Sequence, residues 1–134
     1  MTALLDEPAL EARAAALAAE LAPGDVVWLS GDLGAGKTTF VRALVRAAGA
    51  ARPATSPTYA LVHRYAAPRG PLYHVDCYRL KHEAEAWDLD WDALSEGILL
   101  IEWPEKAGRW APRPTHRVRL AHTPDPDVRS VELE

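Results

Sequence analysis

Apolar positions recur along this chain with two periods, one helical and one of strands. Leu10, Ala14, Leu17 and Leu21 fall on one helical face and predict a helix from Pro8 to Leu21. Asp6 suits its N-cap, Pro8 its first turn, and Pro23-Gly24 its stop. Asp25 to Ser30 is a short apolar run of β-formers, the first core strand. Val41, Leu44, Val45 and Ala48 resume the helical spacing and predict a second helix from Lys37 to about Ala48, closed by Gly49. Residues 2–5 suit a short edge strand. Ala50 to Thr58 reads as a loop, because two prolines deny it regular structure. Tyr59 to Tyr65 and Leu72 to Tyr78 predict two strands, hairpinned across Pro68-Arg69-Gly70-Pro71. Lys81 to Glu96 is acidic around Trp87 and Trp91 and suits one or two short helices. Gly97 to Ile101 is continuously apolar, the pattern of a strand buried on both faces. Pro104 to Arg109 suits one helical turn. His116 to His122 and Val128 to Leu133 predict a terminal hairpin about Pro124-Asp125-Pro126.

Between the first core strand and the second helix stands Gly-Asp-Leu-Gly-Ala-Gly-Lys-Thr-Thr, residues 31–39. Gly31, four residues, then Gly36-Lys37-Thr38 fits the P-loop pattern at every fixed position. Strand, glycine loop and helix form an anion cradle. The backbone N–H groups of Gly34, Ala35, Gly36, Lys37, Thr38 and Thr39 can turn onto a polyphosphate, and the helix N-terminus adds its positive end. Lys37 is expected to reach the β- and γ-phosphates, and the Thr38 hydroxyl to hold Mg²⁺.

Composition narrows the ligand. The 134 residues make one domain the expectation, residues 1–134, and the net charge of −4 argues against a large nucleic-acid footprint on this chain. Cys77 is the sole cysteine, so no internal disulfide or thiolate metal site can form. There is neither an apolar run near 18 residues nor a signal-peptide pattern, so a cytoplasmic protein without membrane contact is expected. The chain has no Asn and no Gln. A guanine pocket of the Asn-Lys-x-Asp kind and a Ras-like water-positioning Gln are therefore impossible, which makes adenine the default expectation. The five histidines are scattered singly, so no metal beyond Mg²⁺ is expected.

A P-loop needs an acidic partner for Mg²⁺ and water. Glu102 ends the buried apolar strand, at the edge where phosphates bind in such sheets. Asp76 ends the Leu72-Tyr-His-Val strand in the same way. Each also suits a solvated strand end or a helix cap. Thr55, Ser56 and Thr58 lie on the connection after the P-loop helix, where a γ-phosphate-sensing switch lies in P-loop enzymes; Ser-Pro is equally a turn opener. His74 and Asp76 share one strand face, suiting either a His–Asp pair or a partly buried histidine with a hydrogen bond. Arg64 and Arg79 suit phosphate or a surface carboxylate. Trp103 is the tryptophan nearest the site, and Cys77 reads as packing.

Four stretches together resemble one family: residues 31–39, Ser56-Pro-Thr-Tyr59, His74-Val-Asp-Cys-Tyr-Arg-Leu80 and Ile101-Glu-Trp-Pro-Glu105. In this order they resemble the TsaE (YjeE) family, the small bacterial ATPase of tRNA threonylcarbamoyladenosine synthesis. The resemblance implies an α/β fold, a single P-loop NTPase-like domain whose mixed parallel and antiparallel sheet is flanked by helices. It implies ATP and Mg²⁺ as cofactors and weak ATP hydrolysis alone. It implies work within a TsaB–TsaD complex that modifies adenosine 37 of tRNA, so that tRNA is met indirectly. Position by position, it implies Lys37 on the phosphates, Thr38 and Glu102 as the Mg²⁺ side, and Asp76 as the residue that positions water. It also implies Ser56 and Thr58 in the switch-like loop, Trp103 beside the nucleotide, and the helix start around Asp6 and Glu7 near the nucleoside. Asp88 stands where the family has a glycine, and Cys77 where an aliphatic residue is common.

Two other functions use the same P-loop. A small-molecule kinase needs an acceptor pocket and an Arg-bearing lid, for which Arg64 and Arg69 flank a candidate loop. A nucleotide-gated binding module needs only binding.

Overall fold

The computed structural model describes residues 2–50, 53–54, 62–82, 86 and 89–134, with backbone alone at 53–54 and 79. The chain runs β1 (Thr2–Asp6), α1 (Glu7–Glu20), β2 (Val26–Ser30), α2 (Lys37–Ala47), β3 (Pro53–Ala54), β4 (Val62–Tyr65), β5 (Leu72–Asp76), α3 (Trp91–Leu94), β6 (Ile98–Glu102), β7 (His116–His122) and β8 (Val128–Leu133). Single 3₁₀ turns lie at Cys77–Arg79, Pro104–Lys106 and Gly108–Trp110.

The strands form one sheet in the order β1-β8-β7-β2-β6-β5-β4-β3. Its centre is parallel: β2 pairs with β6 and β7, and β6 with β5. Both margins are antiparallel, β7-β8-β1 on one side and β5-β4-β3 on the other. This is the mixed sheet expected, with the edge strand at the N-terminus and both hairpins in place.

Strand alternation sorts side chains between two cores. Val27, Leu29, Leu72, Ile98 and Leu100 face α1 and α2, where they meet Leu10, Ala14, Leu17, Phe40, Val41 and Leu44. Val26, Val75, Leu99 and Ile101 face the other way, onto Cys77, Leu80, Ala86 and Leu94, with Trp28, Trp91, Trp103 and Trp110 around them. β6 is buried at every position, as a strand covered on both faces must be. The same alternation aims His74, Asp76 and Glu102 toward the α2 side, since they share parity with Leu72, Ile98 and Leu100.

Asp6 caps α1 by accepting from the Ala9 N–H at 3.0 Å. The other end of α1 has no basic residue in its last turn. Arg69, from the β4–β5 turn, donates to the carbonyls of Ala19 and Leu21, each at 2.8 Å. Arg69 therefore closes a helix and does not reach toward the P-loop, contrary to its reading as part of a lid.

The expected loop at 50–58 needs one correction. Pro53–Ala54 is a two-residue strand paired with β4. It lies at the sheet margin, where a proline's missing N–H breaks no ladder bond. Among the described residues no helix is long and apolar enough to cross a membrane. In the acidic segment, where the sequence predicts one or two short helices, the described residues include the one-turn helix α3, capped by Asp90, which accepts from the Ala93 N–H at 3.2 Å. Trp87 and Asp88 lie outside the described residues.

Candidate functional site

The site is built where parallel strands end beside a helix start. β2 ends at Ser30 and the chain turns into α2 through residues 31–36. Gly31 is required there: a Cβ would lie 2.3 Å from the Leu120 carbonyl oxygen of β7. Gly36 is the N-cap of α2, with no side-chain bond to the first-turn N–H groups. Those groups and the helix dipole are thus directed at the space in front of the loop.

Asp76 and Glu102 are neighbours in the β5–β6 register, at the C-terminal ends of two parallel strands. An open cavity of about 240 Å³ joins them to the P-loop. Leu33, Gly34, Gly36, Lys37, Thr38, Thr39, Asp76, Tyr78, Glu102 and Trp103 line it. Residues from three separate motifs therefore converge on one space. Asp76 also accepts from the Tyr78 N–H at 3.0 Å, which fixes its carboxylate and turns the chain into the 3₁₀ turn after β5.

Lys37 is buried, 5% exposed, and its ammonium is fully engaged. It donates to the Gly31 carbonyl and, at 2.9 Å, to the Asp32 carbonyl, and it lies 4.3 Å from the centre of the Trp103 ring. Burial pushes its pKa below the ordinary lysine value, opposed by Glu102, Asp32, Asp76 and Glu105.

Glu102 is the other buried charged group among the described residues, 4% exposed. Its Oε2 accepts from His74 Nε2 at 2.5 Å. The sequence left His74 between a pair with Asp76 and a plain hydrogen bond; the structure gives it Glu102, one strand over. His63 stacks on His74 with ring centres 6.0 Å apart.

Trp103 has φ +56° and ψ +50°, the sole positive φ of a non-glycine residue among those described. It precedes Pro104, a position that normally takes extended backbone. Its N–H donates to Leu29 O at 3.2 Å, so the bend is tied to β2. The bend turns the indole back over Lys37 and against Tyr78, with ring centres 5.2 Å apart. Such a conformation is costly and held by its surroundings, a recurrent feature of functional sites.

A second cavity of about 320 Å³ adjoins the loop on its other side. Asp6, Glu7, Pro8 and Leu10 of the α1 start, Gly34, Gly36 and Thr39 of the loop, and Asp127 and Arg129 line it. It places Asp6 and Glu7 beside the P-loop.

Ser56, Thr58, Thr55 and the Arg79 side chain lie outside what is described. Arg64 is exposed on β4, and Cys77 is buried with its thiol pushed up to about 12 by burial first and by Asp76 and Glu105 next. Sequence reasoning assigned no role to Tyr78, Leu33, His122 or Arg129. Tyr78 carried one signal, its place two residues after Asp76. Leu33 lies within the P-loop stretch itself, while His122 and Arg129 carried no signal, because their contacts are made across the sheet.

The family described as Threonylcarbamoyl adenosine biosynthesis protein TsaE matches residues 4–131. The tRNA threonylcarbamoyladenosine biosynthesis protein TsaE of Bacillus subtilis strain 168 is 44% identical over 81 residues, which span 60% of this chain and 51% of that protein. The protein of the same name from Rickettsia bellii is 41% identical over 109 residues, 80% of this chain and 76% of that one. That from Nostoc sp. strain PCC 7120 is 43% identical over 91 residues, 64% and 56%. The match thus spans about half to three quarters of these relatives' lengths. A crystal structure of Bacillus subtilis YdiB superposes with a TM-score of 0.76 at 29% identity, over 98% of this chain and 82% of that one.

Proposed function

The chain belongs to the TsaE family of threonylcarbamoyl adenosine biosynthesis proteins, and from that premise we propose that it is the Mg²⁺-dependent ATP-binding and ATP-hydrolysing subunit of tRNA threonylcarbamoylation. In this reading it works in the cytoplasm with a TsaB–TsaD pair, which carries out the modification of adenosine 37 while this chain turns over ATP. The observation that carries the reading is the convergence of Lys37, Thr38, Asp76 and Glu102 on the one cavity in front of the α2 N-terminus.

Each residue then has a definite task. The N–H groups of Gly34, Gly36, Lys37, Thr38 and Thr39 donate to the phosphate oxygens, and that of Ala35 does so on leaving Asp32 O, 3.1 Å away. Lys37 leaves the Gly31 and Asp32 carbonyls and donates to the β/γ-phosphate oxygens. Asp76 accepts a hydrogen bond from the water that attacks the γ-phosphorus. The new P–O bond forms as the bond to the β–γ bridging oxygen breaks, giving ADP and phosphate. Trp103 closes the phosphate end. The nucleoside takes the cavity between the α1 start and Arg129, with no Asn or Gln present to read guanine.

The residues present fit Mg²⁺. The Thr38 hydroxyl and the Glu102 carboxylate are hard oxygen donors that would hold it, and when bound it would neutralise charge on the transferring phosphoryl group. Among the described residues no group of three or more His, Cys, Asp or Glu forms a metal cage.

The net charge of −4 accords with partner proteins holding most of the tRNA. Arg69 spent on the α1 carbonyls counts against a kinase lid. The test is phosphate release from ATP, with and without a TsaB–TsaD pair, for wild type and Lys37→Ala. Slow release alone, faster release with the pair and none in the variant is the expected result. Release indifferent to the pair, or retained by Lys37→Ala, overturns the proposal.

A further inference from the structure

A P-loop binds anions through N–H groups, so its carbonyls must point away from the ligand. Here four consecutive carbonyls, 31 to 34, each have a side-chain donor. Lys37 takes Gly31 O and Asp32 O. His122 Nε2 lies 3.0 Å from Leu33 O. A carbonyl can only accept, so Nε2 carries the proton. Arg129 Nη2 lies 3.4 Å from Gly34 O, and its Nη1 donates to Pro126 O at 2.7 Å.

His122 and Arg129 are register partners across the β7–β8 hairpin, so one rigid element supplies both donors. The hairpin also fills the space behind the loop. A Cβ on Gly34 would lie 3.6 Å from His122 Cε1, and one on Gly36 3.9 Å from Arg129 Cγ. Gly34, at φ +78°, has no Cβ to oppose a peptide flip. A flip there would turn a carbonyl dipole toward the phosphates.

The three donor side chains differ in what a nucleotide does to them. On the reading given above, Lys37 is drawn off to the phosphates and leaves carbonyls 31 and 32. His122 lines neither cavity and stays on Leu33 O; Arg129 lines the nucleoside cavity, but its guanidinium is held on Gly34 O and Pro126 O. We infer that His122 and Arg129 are positioning residues, a clamp from the C-terminal hairpin that keeps the 33 and 34 carbonyls turned outward and so holds the loop N–H groups ready for polyphosphate. This rests on the nucleotide-binding role proposed above.

The test is ADP affinity by isothermal titration calorimetry, alongside the melting temperature without nucleotide. The proteins are wild type, His122→Ala, His122→Gln, Arg129→Ala and Arg129→Lys. Loss of one donor is expected to weaken ADP binding about fivefold, with the ligand-free melting temperature unchanged for His122→Ala and only slightly lowered for Arg129→Ala, which also loses its bonds to Pro126 O and Val128 O. Gln at 122 and Lys at 129 keep a donor and are expected to restore most of the affinity. Equal ADP affinity in wild type and the Ala variants overturns the clamp. So does weakening that the Gln and Lys variants fail to rescue, or weakening in His122→Ala that tracks a lowered melting temperature. No ADP binding by wild type overturns the nucleotide role itself.

Discussion

His74 on β5 donates to Glu102 at the end of β6, Nε2 to Oε2 at 2.5 Å, with the two side chains 11% and 5% exposed. The bond joins adjacent parallel strands at the edge where the cavity opens, and it fixes the carboxylate that the proposed Mg²⁺ site depends on. Removing the imidazole leaves a buried carboxylate short of a donor, which is costlier than never having made the bond. His74→Ala is expected to lose about 2 kcal/mol of stability and to need more Mg²⁺ for half-maximal phosphate release. Urea unfolding and a Mg²⁺ titration of the ATPase check the two effects separately. Unchanged Mg²⁺ dependence would sink the second.

Trp103 reports on Lys37. The ammonium lies 4.3 Å from the indole and must leave to meet phosphate. Adding ATP is expected to shift tryptophan emission in wild type and not in Trp103→Phe. A fluorescence titration decides it, and a shift of equal size in the variant would place the reporter elsewhere.

Arg69 stabilises α1 without touching the cavity. Arg69→Ala is expected to cost about 1 kcal/mol of stability while leaving nucleotide affinity unchanged. Thermal melting paired with ADP titration is the check; weakened ADP binding at full stability would contradict this role.

Cys77 sets an alkaline dependence. Its thiol ionises near 9.0 when unfolded and is pushed up to about 12 in the fold. The folded value is the higher one, so this contribution is whole below pH 9.0 and is lost as pH rises toward about 12. Tyr65, also raised by burial, acts in the same direction. The melting temperature of Cys77→Ala is expected to fall less steeply with pH across that window. A slope identical to wild type would show that the thiol contributes nothing there.

Much of this protein is legible in local signals of its sequence. The P-loop is a contiguous stretch whose geometry is written in its glycines, and Gly31 proves to have no room for a side chain. Period-3.6 and period-2 patterns place α1, α2, β6 and the terminal hairpin because burial on one or both faces must show in the sequence. Glu102 and Asp76 are readable as strand-end carboxylates, since strands of a P-loop sheet end at the phosphate edge.

What the sequence by itself determined was therefore most of the elements, though not β3, and the chemistry carried at their ends. Partnership belonged to the tertiary structure. His74 chose Glu102 over Asp76 because β5 and β6 are parallel neighbours in a register that no single strand encodes. Trp103 took a left-handed backbone before a proline because β2 and the Pro104 turn hold it there. Arg69 went to the end of α1, and His122 and Arg129 to the back of the P-loop, across chain separations of 48 to 95 residues. Contacts that distant leave no period and no motif; they exist only once the sheet has set its strand order.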